Sequence, residues 1–562
     1  MKPSAVLGIN RTQDGSVCFI DAQGQLWAVQ KERLSRVKHH WGKLGDVALY
    51  AQHLPQIGAA ADVVVECYSS DTEMARIDDY HAELRALVLK QGGSIHQISH
   101  HLAHLYSAYF PSGFAASAVM VLDFQGSPAR CFTEDYPLPA GWDGDSLEVA
   151  SFYHCEGGSI RCIAKQLWNG DRRRMVGLGA FYQSLTQMIF PKFEGQEGKV
   201  MGLAPLGDAT TLDLPPLEVR GHEVFIPDAW HALFRQPGDY FYQADDAERF
   251  QRAANLAAIG QKVYEDALLQ LADWLHAQTG QTALCLAGGC GLNCSANGKL
   301  VAQSPFTEVY IPPAPGDGGT AIGCALYGQI EILGQSSQFR WTENDYLGPE
   351  PLIPATLDDH DLTGLIVEQP ADLPATVAHL LDGQCAVALF EGRSEMGPRA
   401  LGHRSILADP RHDAMRVWIN RAVKGREVYR PLAPVVLEEL AGDYFQVRRP
   451  MRFMQYAVQT LPHARTAIPA VVHVDGSARV QMVPAHPVST YRQIIECFFA
   501  RTGVPVLLDT SFNGQEEPIV ETIADALAAF RKMPLQALAL PPFLIHKQAR
   551  PATWQEESNQ ES

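Results

Sequence analysis

The sequence predicts an α/β protein with at least two large domains, on three observations. The chain has 562 residues, too many for one ordinary hydrophobic core. Short apolar runs of strand length alternate with segments of helical period. Regular patterning fails once, from Gln335 to Asp361, where "QSSQFRWTENDYLGPEPLIPATLDDHD" is polar and proline-rich, the composition of an interdomain connection. The expected layout is a first domain over 1–345, a linker over 346–365, a second domain over 366–550 and an unstructured polar tail over 551–562.

Near the start, "SAVLGIN", "SVCFID" and "QLWAVQKE" are joined by the turns "RTQDG" and "DAQGQ", which reads as an antiparallel meander. "DVVVEC", "AVMVLD", "ALCLAGG" and "TEVYIP" then alternate with helical patterns. The clearest helix runs from Arg252 to His276, with Leu256, Ile259, Val263, Ala267, Leu271 and Trp274 three or four apart. A second α/β unit extends from "GLIVEQ" through "CAVALFEG" to "ALALPPFLIHK". No internal repeat is visible.

A hydrophobic content of 46% and a charged content of 19% describe a globular chain, and no apolar run approaches the length of a membrane span. A net charge of -18 without a basic block argues against nucleic acid as partner, but leaves room for a local anion pocket. The start, "MKPSAVLGINRTQDGS", does not resemble a signal peptide. Eleven cysteines are scattered, and Cys285, Cys290 and Cys294 lack the paired spacing of zinc sites. The expectation is a cytoplasmic protein with reduced thiols.

Several stretches carry chemistry. "EGRSEMGPRALGHRS" holds Arg393, Arg399, His403 and Arg404 in a loop broken by glycine and proline. Such a loop is either solvated surface or a cradle for a small polyanion, since guanidinium pairs bidentately with phosphate and carboxylate. "GINRTQDGS", from Gly8 to Ser16, is either a phosphate-cradling loop or an ordinary hairpin. "LAGGCGLNCSANGKL" reads as strand, double-glycine turn and helix, presenting free amides to an anion or simply turning the chain. In "SHHLAH", His100 and His104 are four apart on one helix face, close enough to share a metal. Asp123 ends the strand "AVMVLD", and Asp317 opens a helix in "PGDGGTAIG". Strand ends and helix mouths meet at the ligand crevice of an open α/β sheet, so the four form a candidate His2Asp2 site. The alternative for each aspartate is a cap or turn.

Eight motifs stand in the order of the NodU/CmcH/TobZ-type O-carbamoyltransferases: "SHHLAHLYSAYFPSGF", "EGKVMGLAPLGD", "LAGGCGLNCSANGKL", "PGDGGTAIGCAL", "EGRSEMGPRALGHRSILADPR", "KGREVYRPLAPVVLEE", "HVDGSARVQMV" and "DTSFNGQEEPIV". The chain resembles that family over nearly its whole length. The resemblance implies an actin-like ATPase (ribonuclease H-like) first domain, similar to the universal tRNA threonylcarbamoyl transferase. It implies a second domain similar to threonylcarbamoyl-adenylate synthase. Carbamoyl phosphate and ATP would become carbamoyl-adenylate in the second domain. The first would pass the carbamoyl group to a hydroxyl of a small molecule, of antibiotic or other secondary-metabolite type, releasing AMP.

By motif match, the resemblance places Arg399, Arg404, Lys424, Arg430, Arg479 and Ser511 in the adenylate-forming pocket, where fixed cations offset the repulsion between two polyanions. Arg393 and His403 either join them or only shape the loop. Nucleotide contacts in the first domain fall to Asn10, Asp14, Gly288, Gly289, Asn293, Gly318 and Gly319. The metal on His100, His104, Asp123 and Asp317 is expected to be Fe(II), with manganese or zinc also compatible with these ligands and Mg(II) an option alongside ATP. His101 is read as a supporting group, and Asp208 in "GLAPLGD" as either a general base or a turn residue. Two positions depart from the family: Gln13-Asp14 stands where His-Asp is usual, and Asp509 replaces an asparagine. The oligomeric state is left open, a homodimer being one option.

Three other functions were weighed. A carbamoyltransferase of hydrogenase maturation would carry an acylphosphatase unit and paired C-x-x-C motifs. A sugar-type kinase would leave the second domain without a role. A nucleotide-sensing regulator would not turn over.

Overall fold

The computed structural model describes residues 4–58, 61–69, 74–191, 195–236, 238–337, 339–341, 345–351, 353, 356–549 and 551–558. The chain forms two compact units, one of residues 1–35 and 39–347, the other of residues 36–38 and 348–562.

Two five-stranded sheets of one plan make up the first unit. The first sheet contains β1 (Val6–Asn10), β2 (Ser16–Ile20), β3 (Leu26–Gln30), β4 (Ala61–Tyr68) and β5 (Leu89–Ser99), in the order β3-β2-β1-β4-β5. The second contains β6 (Ala116–Leu122), β7 (Leu147–Glu156), β8 (Ser159–Trp168), β9 (Ala283–Ala287) and β10 (Glu308–Tyr310), in the order β10-β9-β6-β7-β8. Each begins with a three-stranded antiparallel meander and adds two parallel strands beside the first. This is the duplicated, actin-like arrangement. The repeat that the sequence does not show is therefore present as topology.

The two halves interlock through helices. α1 (His100–Ser112) follows β5 and packs on β6 and β9 of the other sheet. α4 (Thr320–Tyr327) follows β10, the equivalent position, and packs on β1, β2 and β4. That is why "VLGIN" is buried along its whole length: one face meets the core of Leu7, Ile9, Val17, Phe19 and Val29 with Val47, Tyr50 and Leu84, and the other meets α4. The helices themselves touch closely. A Cβ at Gly323 would overlap the carbonyl of Ala103, so only glycine fits there.

The expected long helix, α2, extends a turn beyond its expected start and runs from Ala247 to Thr279. Asp246 caps it by accepting from Glu248 N and Arg249 N, and Gly280 ends it at φ 64°. Leu256, Ile259, Val263, Ala267 and Leu271 are buried as their spacing predicts, while Trp274 packs half-buried against Phe152 and His222. α3 (Cys294–Gln303) follows β9.

The second unit is an eight-stranded mixed sheet of β11 (Leu365–Glu368), β12 (Val387–Phe390), β13 (Arg404–Ala408), β14 (Ala433–Leu437), β15 (Gln481–Val483), β16 (Val506–Ser511), β17 (Ala537–Leu540) and β18 (Phe543–Lys547). Its order is β11-β18-β17-β12-β13-β16-β14-β15. α5 (Leu373–Asp382) and α6 (Thr490–Thr502) cover one face, burying Val377, Leu381, Leu389, Leu407, Ile494, Phe498 and Leu507. The tail differs from expectation: Trp554–Ser558 is helical, Thr553 bonds Glu556, and Trp554 Nε1 donates to Gln384 Oε1 at 3.1 Å. Residues 559–562 of that tail lie outside the described residues. No described helix is long and apolar enough to cross a membrane. All eleven cysteines are free.

Candidate active site

In the first unit four donor groups converge. His104 Nε2 is 3.2 Å from His100 Nε2 and 3.1 Å from Asp123 Oδ2, while His100 Nε2 is 3.3 Å from Asp317 Oδ1. The four ligand atoms all lie within 4.8 Å of one another. Donors bound at about 2.1 Å to one ion stand roughly 3.0–3.4 Å apart, so the set fits a divalent metal. Both histidines are fully buried on the first two turns of α1, Asp123 follows β6, and Asp317 opens the turn before α4. The equivalent helices of the two halves thus bring their first turns together.

The charges support one another. Burial opposes protonation of His100, yet Asp317 and Asp123 hold it well above its ordinary value, and His104 is raised in the same way. Against the same burial, His100 and His104 hold Asp123 well below the usual carboxylate range, and Asp317 is lowered as well. Two acids and two bases packed this tightly make a candidate site for a doubly charged cation.

Loops around this cluster carry the other expected residues. Asn10 is fully buried, and its Nδ2 donates to the carbonyls of Gln13 (3.0 Å), Asp14 (3.2 Å) and Asp317 (2.9 Å). Its Oδ1 accepts from Thr12 N, and Thr12 Oγ1, with one hydrogen to give, lies 2.6 Å from Asn10 Oδ1 and 2.8 Å from Asp317 Oδ2. Asn10 therefore ties the first loop to a metal-site aspartate, and Thr12 is a participant that sequence reading missed. An imidazole does reach this loop, though not at position 13: His39 Nδ1 lies 2.9 Å from Asp14 Oδ1, with Glu32 Oε2 accepting the His39 backbone N–H at 3.0 Å. Gly288, at φ 89°, lies so near the Leu122 carbonyl that a Cβ would overlap it, and Gly289 faces Asp123. Asn293 caps α3 through Ala296 N and pairs its amide with Gln261 of α2. Gly318 and Gly319 are buried in the turn after Asp317.

Asp208 does not join this group by any hydrogen bond. Its carboxylate accepts from Thr210 N and Oγ1 on an exposed turn, and these bonds lower its pKa, which weakens it as a base. The turn reading is the one its contacts support. His101 Nδ1 pairs with Ser151 Oγ at 2.8 Å.

The second unit gathers cations. Burial and the neighbouring Arg430, Arg479 and Arg399 depress Arg426 well below its ordinary pKa, and burial and Arg479 also lower Arg430 despite Glu427. Arg426 stands in the motif "KGREVYRP" but was missed, because nothing in a sequence marks which arginines share one pocket. Lys424 is likewise lowered, by burial and Arg426. Its Nζ donates to Ser511 O and Asn513 O at 2.7 Å each and to Asn513 Oδ1 at 2.6 Å, with Ser511 Oγ at 3.2 Å. These partners are neutral, so the ammonium has no counter-charge among its hydrogen bonds.

Arg404 departs from expectation. Its Nη groups donate to the carbonyls of Glu391, His403, Gly392 and Glu521, and the guanidinium lies 3.7 Å over the Phe390 ring. A guanidinium bonded in this way shapes the loop through its Nη groups. Glu395 does comparable work: Oε1 accepts from Leu401 N, His403 N and Arg404 N at 2.8–3.0 Å. Arg393, through Gly348 O, and His403, through Arg393 O, are also tied to backbone.

Asp509 accounts for its own departure from the family. It is fully buried, accepts from Tyr491 OH at 2.5 Å, and burial raises its pKa to about 8. At neutral pH it is an uncharged acid, close in size and polarity to asparagine. The sign follows: the unfolded chain ionises this group near pH 4 and the folded chain near pH 8, so stability falls between those values as pH rises. We expect Asp509→Asn to flatten this part of the pH dependence, so that its urea midpoint exceeds wild type at pH 8 but not at pH 4. Parallel profiles would exclude a neutral Asp509.

Comparison with known proteins agrees with this layout. Residues 68–326 match the carbamoyltransferase N-terminus family model and residues 378–547 the carbamoyltransferase C-terminus model. Nodulation protein NolNO of Sinorhizobium fredii is 32% identical over 581 residues, covering 96% of this chain and 80% of that protein. Nodulation protein NolO of Bradyrhizobium diazoefficiens is 33% identical over 477 residues, covering 82% and 80%. A solved structure of full-length HypF in the phosphate- and nucleotide-bound form shows 16% identity and a TM-score of 0.37 over 59% of this chain and 47% of that one, too low a likeness to carry weight. With both family regions matched and relatives aligned over most of their length, the chain belongs to the carbamoyltransferase family.

Proposed function

We propose that the protein is an ATP-dependent O-carbamoyltransferase. The second unit makes carbamoyl-adenylate from carbamoyl phosphate, water and ATP, with release of both inorganic phosphate and pyrophosphate. The first unit transfers the carbamoyl group to a hydroxyl of a small secondary metabolite, such as an antibiotic, with release of AMP. The observation that carries this reading is the gathering of four cations, Lys424, Arg426, Arg430 and Arg479, of which Lys424, Arg426 and Arg430 are lowered by burial and by neighbouring cations, the setting that suits a polyanion. Arg399 is near enough to Arg426 to add to it.

In the first unit, His100, His104, Asp123 and Asp317 would hold a divalent ion, Fe(II) by family resemblance, which when bound neutralises phosphate charge on the leaving AMP. Asn10 and Thr12 fix Asp317 toward it. The α3 N-terminus behind Gly288 and Gly289 faces the same cluster through Asp123 and suits a nucleotide phosphate.

The test is exchange of labelled pyrophosphate into ATP by the purified protein without acceptor. Exchange that requires carbamoyl phosphate is the expected result. ADP formation with a phosphorylated sugar, or no exchange at all, would remove the reading. A milder check uses stability: pyrophosphate should raise the melting midpoint of wild type. Arg426→Gln should melt higher than wild type without ligand, having lost a repelling charge, and gain little from pyrophosphate.

A further inference from the structure

Lys165 is a fully buried cation of the first unit that the chemistry above does not use. Its Nζ lies 2.7 Å from Glu134 Oε1, 2.5 Å from Glu148 Oε2, 2.9 Å from Ser151 Oγ and 3.3 Å from Tyr153 OH. It also sits 4.4 Å from the centre of the Phe132 ring. Burying an ammonium with two carboxylates adds little stability over an apolar cluster of equal volume. The purpose of the group is therefore to be sought in what it touches.

Two of its partners, Glu148 and Ser151, bond the first turn of α1. His100 is the first residue of that helix, so its position depends on how the helix starts. Ser99, the residue before it, makes no capping bond, because its hydroxyl donates to Glu134 Oε2 at 2.6 Å. The caps come from elsewhere: His100 N–H donates to Ser127 Oγ at 2.9 Å, and His101 N–H to Glu148 Oε1 at 3.0 Å. Glu148 Oε1 also accepts Ser127 N–H at 3.1 Å. One carboxylate on β7 thus fixes both the helix start and the loop residue that caps it. Lys165 holds the other oxygen of that carboxylate. Ser151, bonded to both Lys165 and His101, closes the ring.

We propose that Glu148 and Lys165 are positioning residues for the metal site. Glu148 fixes the first turn of α1, Lys165 neutralises and anchors Glu148, and together they set His100 against His104 and Asp123. The proposal rests on the metal reading above. A first turn deprived of its caps frays. His100 would move with it, while His104, one turn further on, would stay. Affinity then falls through geometry although every ligand is present.

Co(II) is the probe, since its visible absorption reports coordination geometry. Glu148→Ala is expected to weaken Co(II) binding about 10–100-fold and to alter the spectrum. The triple variant Glu134→Gln, Glu148→Gln with Lys165→Met keeps an acceptor for both N–H groups and leaves neither an unpaired ammonium nor an unpaired carboxylate, so it is expected to bind Co(II) close to wild type. Ser127→Ala removes the His100 cap alone and should show the same spectral change with a smaller loss, which keeps the test open if Glu148→Ala fails to fold. Wild-type affinity and spectrum in folded Glu148→Ala or, failing that, in Ser127→Ala would overturn the proposal. So would a loss in the triple variant as large as in Glu148→Ala, because the cap would then not be the cause. A wild type that binds no Co(II) overturns the metal reading and this proposal together, an outcome distinct from the other two.

Discussion

Arg399→Ala and Lys424→Ala should each lower carbamoyl phosphate-dependent pyrophosphate exchange by tens to hundreds of times. Loss of one charge-assisted bond to phosphate in a desolvated site costs about 2–4 kcal/mol, which corresponds to that range of rate. Lys424 has a second reason to be sensitive, since its ammonium holds the chain at Ser511 and Asn513, and truncation loosens the pocket wall as well. The first unit is untouched by either change. Carbamoyl-adenylate supplied from outside should therefore restore acceptor carbamoylation in both variants, followed as the carbamoyl mass increment on a hydroxylated acceptor. Failure of rescue, with an intermediate that wild type uses, would end the division of labour between the units.

His104→Ala is expected to do the reverse. Exchange should persist, while transfer from supplied carbamoyl-adenylate falls by more than the 10–100-fold that loss of an outer partner costs, because a ligand itself is gone. His104 contacts His100, Asp123 and Asp317 together, so its removal also leaves Asp123 and Asp317 facing each other with one base fewer. Elemental analysis gives the check. Equal metal in wild type and variant would remove the site as drawn, and loss of exchange with the second unit still folded would contradict its independence.

Much of this was legible in the sequence for physical reasons. Two histidines four apart on a helix must share a face, and an aspartate at a strand end or helix mouth must sit at the rim of the sheet, so the four metal-site residues could be proposed as a group. The apolar strands were equally clear. β5 was not, because "LKQGGSIHQIS" is largely half-exposed and is held by backbone pairing with β4. β7 and β8 were obscured by polar residues at buried positions, Glu148, Ser151 and Lys165, where local pattern yields to a special environment. Arginine was the least legible residue type. A guanidinium bonds substrate phosphate and main-chain carbonyl with the same hydrogens, so the backbone-bonded role of Arg404 is invisible until its partners are seen. Arg426 is distinguished only by the company of other cations.

The exchange of helices between the two sheets has a consequence for how the chain is made. β1 emerges early in synthesis, but its outer cover, α4, follows only after nearly the whole unit has been translated; Asn10 and Asp317 bond across 307 positions. Until then a strand that is fully buried in the finished unit has one bare face. Contacts this distant in sequence close slowly and leave apolar surface open to aggregation meanwhile. A chain that stops before Thr320 has the strands of both sheets and the helix α1 that covers the second, but leaves the first sheet without α4. We expect such truncations to collect in inclusion bodies even though every strand of the first sheet is present, whereas adding residues 320–327 restores the missing layer.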